Sequence, residues 1–142
     1  MTTNATTEQG PADFAIAHEA DLIRVRKVLR AEAEAVGLNL VDATKLITAG
    51  SELARNILNY ADGGRGRVGI ERVYERGRRG VRVTFADDGP GIADIGAAMT
   101  DGFSTKGSMG LGLPGSRRLV DDLTLTSEAG SGTTVVIVKW QR

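Results

Sequence analysis

Three short stretches of this chain combine residue types and spacings that chemistry can use. In the first, Glu52 and Asn56 stand four residues apart in a segment of helical period, so they project from neighbouring turns of one face. A glutamate can accept a proton from a hydroxyl or a water, and an asparagine carbonyl is a hard oxygen suited to Mg²⁺. One helical turn can hold both against a shared phosphate group; taken alone, such a pair is more often a solvated helix flank. The second stretch is Asp87-Asp88-Gly89-Pro90-Gly91-Ile92, at the end of a strand pattern. A carboxylate there can accept a hydrogen bond from an exocyclic amine such as that of adenine. Gly89 and Gly91 let the backbone come close to a flat ring, although the same residues also suit an ordinary tight turn. The third is Gly110-Leu111-Gly112-Leu113-Pro114-Gly115, which opens a predicted helix. Backbone N–H groups at a helix N-terminus suit a phosphate. This G-x-G-x-x-G lies far from any first βαβ unit, so it is not a dinucleotide fingerprint. It lacks the Gly-Lys-Ser/Thr ending of a Walker A loop, and no lysine strand and catalytic loop follow it as in protein kinases.

The flanking elements must hold these stretches in place. Leu22, Val25, Leu29, Ala33 and Val36 recur with helical spacing and predict a helix over 19–36, with Gly37 as its stop. A second helix is expected over 42–61, with Asp42 as its N-cap. Its apolar stripe is Ala43, Leu46, Ile47, Gly50, Leu53, Ala54, Ile57 and Leu58, flanked by a polar stripe of Thr48, Glu52, Asn56 and Asn59. Gly50 stands where a larger core residue is expected; it costs about 1 kcal/mol relative to alanine in an exposed helix interior, or it admits close packing. Strands are expected over 13–18, 67–75, 80–87, 123–127 and 133–140, with a basic turn at Arg76-Gly77-Arg78-Arg79 and a short helix over 113–121. His18 falls in the first of these strands with no role. Residues 1–12 are polar and without period, and are expected to form a disordered tail before a single domain over 13–142. The order βααββ, glycine-rich segment, αββ is not strict alternation. It predicts an α+β two-layer sandwich, with a mixed, largely antiparallel sheet and helices on one face.

Composition narrows the functions. Eighteen basic and eighteen acidic side chains cancel, which argues against binding nucleic acid or a membrane surface by bulk charge. With no cysteine and one histidine, thiolate metal sites, cysteine nucleophiles and multi-histidine metal sites are excluded. No apolar run approaches the roughly 20 residues of a membrane span and no signal-peptide pattern opens the sequence, so a cytoplasmic location is expected. Few aromatic residues and zero net charge suggest a monomer in isolation. Eight of the nineteen glycines fall between Asp87 and Gly115, which directs attention to that stretch.

The joint order is more specific than any part of it. A helical E-x-x-x-N, then D-x-G-x-G, then G-x-G-x-x-G, then Gly132-Thr133 before a last strand resembles the Bergerat ATP-binding fold of the GHKL superfamily: gyrase, Hsp90, histidine kinases and MutL. The stretches Ser51–Ile57, Asp101–Thr105, Gly112–Gly115 and Lys139-Trp140 are similar to the RsbT-type switch serine/threonine kinases. The resemblance implies that Glu52 is the general base, Asn56 the Mg²⁺ ligand and Asp87 the partner of the adenine amine. It implies that Gly89 and Gly91 allow close approach of adenine, that Gly110, Leu111, Gly112 and Gly115 form the phosphate side, and that Thr133 helps hold adenine. An ATP lid is expected over 99–109, with Lys106 either near the phosphates or solvated. The cofactors implied are ATP and Mg²⁺. The partners implied are a STAS-domain substrate (an anti-sigma-factor antagonist or stressosome subunit) and a PP2C-type phosphatase activated by partner switching. Other outcomes the resemblance allows are direct binding of a sigma factor, or a nucleotide-gated binding module without transferase activity.

Overall fold

The computed structural model describes residues 6–7, 12–60, 65–87, 112–128 and 132–142. In chain order the elements are β1 (Thr6–Thr7), β2 (Ala12–Ile16), α1 (Glu19–Ala35), α2 (Leu40–Tyr60), β3 (Gly66–Glu75), β4 (Arg78–Asp87), α3 (Gly112–Leu119), β5 (Asp122–Glu128) and β6 (Gly132–Trp140). Two residues of the expected tail, Thr6 and Thr7, therefore pair with Tyr74 and Val73 as a short strand. None of the described helices is long and apolar enough to cross a membrane.

The helix ends differ from expectation for local reasons. His18 is the N-cap of α1, not a strand residue, because Asp21 turns back to the start of the helix. Its carboxylate accepts the backbone N–H groups of Ala17 at 2.8 Å and His18 at 2.9 Å. Those two hydrogen bonds, the Ala17 one first, hold the Asp21 carboxyl below its ordinary value. At the other end, Leu38 N–H donates to the Ala33 carbonyl and Gly37 N–H to that of Glu34, with Gly37 at φ +79°, so the helix stops where the sequence placed the stop. The second helix is capped by Asn39 rather than Asp42. Asp42 N–H donates to Asn39 Oδ1 at 2.8 Å, and Asn39 Nδ2 donates to Asp42 Oδ2 at 3.2 Å. Asp42 is thus the third helical residue, facing back to the cap.

The sheet runs β1-β3-β4-β6-β5, with β2 alongside β3, and every described pairing is antiparallel. The β3–β4 hairpin is tighter than the expected four-residue turn. Arg76 and Gly77 both take positive φ, and Glu75 pairs directly with Arg78, so Arg78 and Arg79 already belong to β4.

Because side chains alternate, the register stacks residues into rows across the face that carries the helices. One row reads Ala12, Ile70, Val83, Ile137, Leu123, and the next Phe14, Val68, Phe85, Val135, Leu125. These residues form one core with Leu22, Val25, Leu29, Leu46, Leu53 and Ile57 of the helices. A smaller buried cluster, Val73, Val138 and Trp140, lies on the opposite face. Gly50 of α2 lies against Leu29 of α1 and the Phe85 ring, so the absent side chain lets the two helices and the sheet close together.

At one end of the helix-covered face the row is Arg72, Val81, Lys139. Arg72 pairs with Glu32 of α1 at 2.7 Å. The Lys139 ammonium is buried, 3.6 Å from Asp42 Oδ1 and 3.7 Å from Asp121 Oδ1, and Arg142 bridges the same two carboxylates. Asp121 also accepts Trp140 N–H at 2.7 Å. This network joins the start of α2, the exit from α3 and the end of β6.

Candidate active site

At the opposite end of the same face the apolar rows give way to a polar one: Ile16, Gly66, Asp87, Thr133, Ser127. Asp87 continues the alternation of Val81, Val83 and Phe85, and Thr133 that of Val135 and Ile137. Both therefore point to the helix side, at the rim of the core. They are direct register partners and both are half-buried. Ser127, the next residue in the row, shares a 2.9 Å hydrogen bond with Thr133 Oγ1 and donates to the Gly132 carbonyl at 3.1 Å.

The helix α2 delivers the other polar residues to this end. It runs from Asp42, beside Lys139, past Gly50, over Phe85, to Ile57, which packs over Gly66. Gly66 is the register partner of Asp87. The turn holding Asn56 and Ile57 thus stands over the polar row, with half-buried Glu52 one turn earlier. Arg55, in the same turn, reaches Glu19 of α1 at 3.3 Å, an exposed pair that contributes little energy but ties this turn to α1. The third helix packs against α2 and starts at Gly112; Pro114 sits in its first turn, and Gly115 and Ser116 are buried. The Ser116 hydroxyl is buried and has no hydrogen-bond partner among the described residues.

Of the residues singled out in the sequence, Glu52, Asn56, Asp87, Gly112, Gly115 and Thr133 fall among those described. Gly89, Gly91, Lys106, Gly110, Leu111 and the stretch 99–109 lie outside the described residues. The sequence reading missed Ser127. A signal was present, since Leu123, Leu125 and Ser127 alternate on one face and the third of them is polar. It also missed the Lys139–Asp42–Asp121 cluster, whose members lie far apart in sequence.

The donor set suits a nucleotide and a phosphate-bound cation. The carboxylate of Asp87 can take an amine hydrogen, and Thr133 adds a hydroxyl beside it. Asn56 offers one hard oxygen, and Mg²⁺ held mainly by water and phosphate needs only one or two from protein. Among the described residues, no group of three or more His, Cys, Asp or Glu gathers into a metal site.

Residues 41–142 match the family of histidine kinase-, DNA gyrase B- and HSP90-like ATPases. The chain belongs to this family. Within it, the chain is 48% identical over 124 residues to the serine/threonine-protein kinase RsbT of Bacillus subtilis (strain 168), covering 87% of this chain and 92% of that protein. This places it among the RsbT-type serine/threonine kinases. It is also 33% identical over 104 residues to an anti-sigma F factor of Geobacillus sp. (strain WCH70), covering 70% of each. Two solved structures share the fold. One holds the RsbU and RsbW domains of a Mycobacterium tuberculosis protein, at TM-score 0.62 and 21% identity, covering 94% of this chain. This chain spans 33% of that longer chain. The other is the mycobacterial sensor histidine kinase MprB, at TM-score 0.56 and 20% identity, covering 96% of this chain and 99% of that one.

Proposed function

We propose that the chain transfers the γ-phosphoryl group of ATP to a serine or threonine of a STAS-domain protein. What carries the reading is the polar row Asp87–Thr133 beneath the turn of α2 that bears Asn56, with Glu52 one turn away. In this reading Asp87 and Thr133 hold adenine, and Gly89 and Gly91 let it lie close to the backbone. The first turn of α3, with Gly110, Leu111, Gly112 and Gly115, receives the phosphates, and Lys106 approaches them from the lid. Asn56 holds Mg²⁺, which when bound offsets charge on the phosphate oxygens. Glu52 takes the proton of the acceptor hydroxyl as that oxygen bonds to the γ-phosphorus and ADP leaves. Little else is needed beyond positioning and electrostatics.

The added phosphate brings roughly 1.5 to 2 negative charges to the substrate, which weakens its complex with the kinase. The freed kinase then binds and activates a PP2C-type phosphatase. The similarity to an anti-sigma F factor favours one second reading, direct binding of a sigma factor.

The test is phosphoryl transfer from Mg·ATP to purified STAS-domain proteins from the same source, comparing the wild type with Glu52→Gln and Asn56→Ala. Transfer that both variants lose supports the kinase reading and the two roles. ATP binding without transfer to any STAS protein, together with capture of a sigma factor, moves the reading to the second.

A further inference from the structure

We infer that Ser127 is a positioning residue that fixes the direction of the Thr133 hydroxyl and so sets the choice of purine. The inference rests on the proposed adenine site at Asp87 and Thr133. Three oxygens settle the geometry. Ser127 Oγ donates to the Gly132 carbonyl at 3.1 Å, and a carbonyl can only accept. A serine hydroxyl has one proton, so at the 2.9 Å contact between Ser127 Oγ and Thr133 Oγ1 the hydrogen comes from Thr133. With its only proton turned toward Ser127, the Thr133 oxygen presents lone pairs to the site. Beside it, on the register partner Asp87, stands a carboxylate that also accepts.

Two acceptors in one row favour a base that donates from its six-position. Adenine places an amine there. Hypoxanthine and guanine place a carbonyl oxygen there, whose lone pairs would meet lone pairs. A bridging water leads to the same choice. It donates one hydrogen to Thr133 and the other to the ring nitrogen beside the amine, which is bare in adenine and carries hydrogen in hypoxanthine. Without Ser127 the Thr133 hydroxyl is free to turn and donate, and the penalty against a carbonyl falls.

The experiment measures binding of Mg·ATP and Mg·ITP by calorimetry to the full chain. The variants are Ser127→Ala, Ser127→Thr, Thr133→Val and the double variant Ser127→Ala/Thr133→Val, each checked for cooperative unfolding. The preference of the wild type for ATP over ITP should narrow about threefold to tenfold in Ser127→Ala, the range of one neutral hydrogen bond. Ser127→Thr, which keeps the hydroxyl on a strand that tolerates β-branching, should retain the preference. In the Thr133→Val background, removing Ser127 should change the ratio no further, which separates orientation of Thr133 from a general loosening of the hairpin. Should Ser127→Ala fail to fold, Ser127→Cys, with its weak donor, should narrow the preference in the same direction. An unchanged ratio in the folded Ser127 variants, or an equal shift with and without Thr133, overturns the inference while leaving the adenine site standing. Failure of the wild type to bind either nucleotide overturns the adenine site, and the inference with it.

Discussion

Replacing Gly50 by alanine sets two opposing energies against each other. Helix propensity favours alanine by about 1 kcal/mol in an exposed interior. Against it, the added Cβ would come nearer than 3.0 Å to Leu29 Cδ1, with Leu29 Cγ and Phe85 Cζ both at 3.8 Å. Leu29 has no exposed surface and Phe85 only 2%, so neither side chain has room to swing away. Forcing a methyl into such a core costs about 1–3 kcal/mol. The net expectation is a loss of about 1 kcal/mol, or about 3–5 °C in Tm for a domain of this size. Urea denaturation reads it, with an unchanged m-value showing that the folded and unfolded states keep their compactness. Leu29→Val in the same chain should relieve the clash, so the double-mutant cycle should show a favourable coupling of about 1 kcal/mol. Gly50 also lies half a turn from Glu52, and pushing α2 outward should lower phosphoryl transfer along with stability. An alanine variant more stable than the wild type, with no coupling to Leu29, would refute close packing as the reason for this glycine.

Three further outcomes follow from particular groups. Lys139→Ala leaves Asp42 and Asp121 without their buried cation; Arg142 still reaches both, so chemical denaturation should show a loss of about 2–3 kcal/mol, below the full cost of breaking a buried pair. Ser116→Ala removes a buried hydroxyl that has no partner among the described residues, and should raise the unfolding free energy by about 1 kcal/mol in the nucleotide-free protein. Asp21 has its carboxyl lowered by the Ala17 and His18 N–H groups, so its contribution is present above the ordinary 3.8 and is lost as pH falls through the lowered value. Asp21→Ala should therefore cost about 0.5–1 kcal/mol near neutral pH, and unfolding measured at successively lower pH should show that difference shrinking below the ordinary carboxylate range.

The helices were legible because their signals are local. The stripes Leu22–Val36 and Leu46–Ile57 carry the 3.6 period in consecutive residues, and Gly37 marks a stop through its own backbone. The start of α2 was misread because an acidic residue can act from either side of a helix boundary. Asp42 looks like a cap, yet it is the third helical residue: its N–H donates to Asn39 Oδ1, and its carboxylate accepts the Asn39 side-chain amide. The short turn at Arg76-Gly77 was hidden because arginine at positive φ is unusual, and the basic run suggested a longer loop. What no local pattern carried was the neighbour relation of β4 and β6. It brings together residues 46 to 60 apart in sequence, and only pairing across the sheet creates it. The residue types of the site could be read one by one, but the side-by-side placing of Asp87 and Thr133 could not.

That placement follows from one continuous alternation rather than from a separate device. In β4, β6 and β5 the same face that supplies Val83, Ile137 and Leu123 supplies Phe85, Val135 and Leu125, and two positions further toward the same end of the sheet Asp87, Thr133 and Ser127. The apolar rows are fixed by the core, so the polar row inherits their register, since a slip of one residue would turn all six apolar side chains to the far side. The helix α2 is held over the same rows at both ends, by Asp42 against Lys139 and by Ile57 against Gly66. The positions of Glu52 and Asn56 relative to Asp87 are thereby tied to core packing and one buried ion network. Loosening the network at Lys139 should therefore be felt at the opposite end of the sheet. Lys139→Ala, examined at a temperature where it remains folded, should lose phosphoryl transfer while a surface change such as Arg76→Ala, 80% exposed, should not. Equal transfer by the two variants would mean that α2 is positioned from its Ile57 end alone.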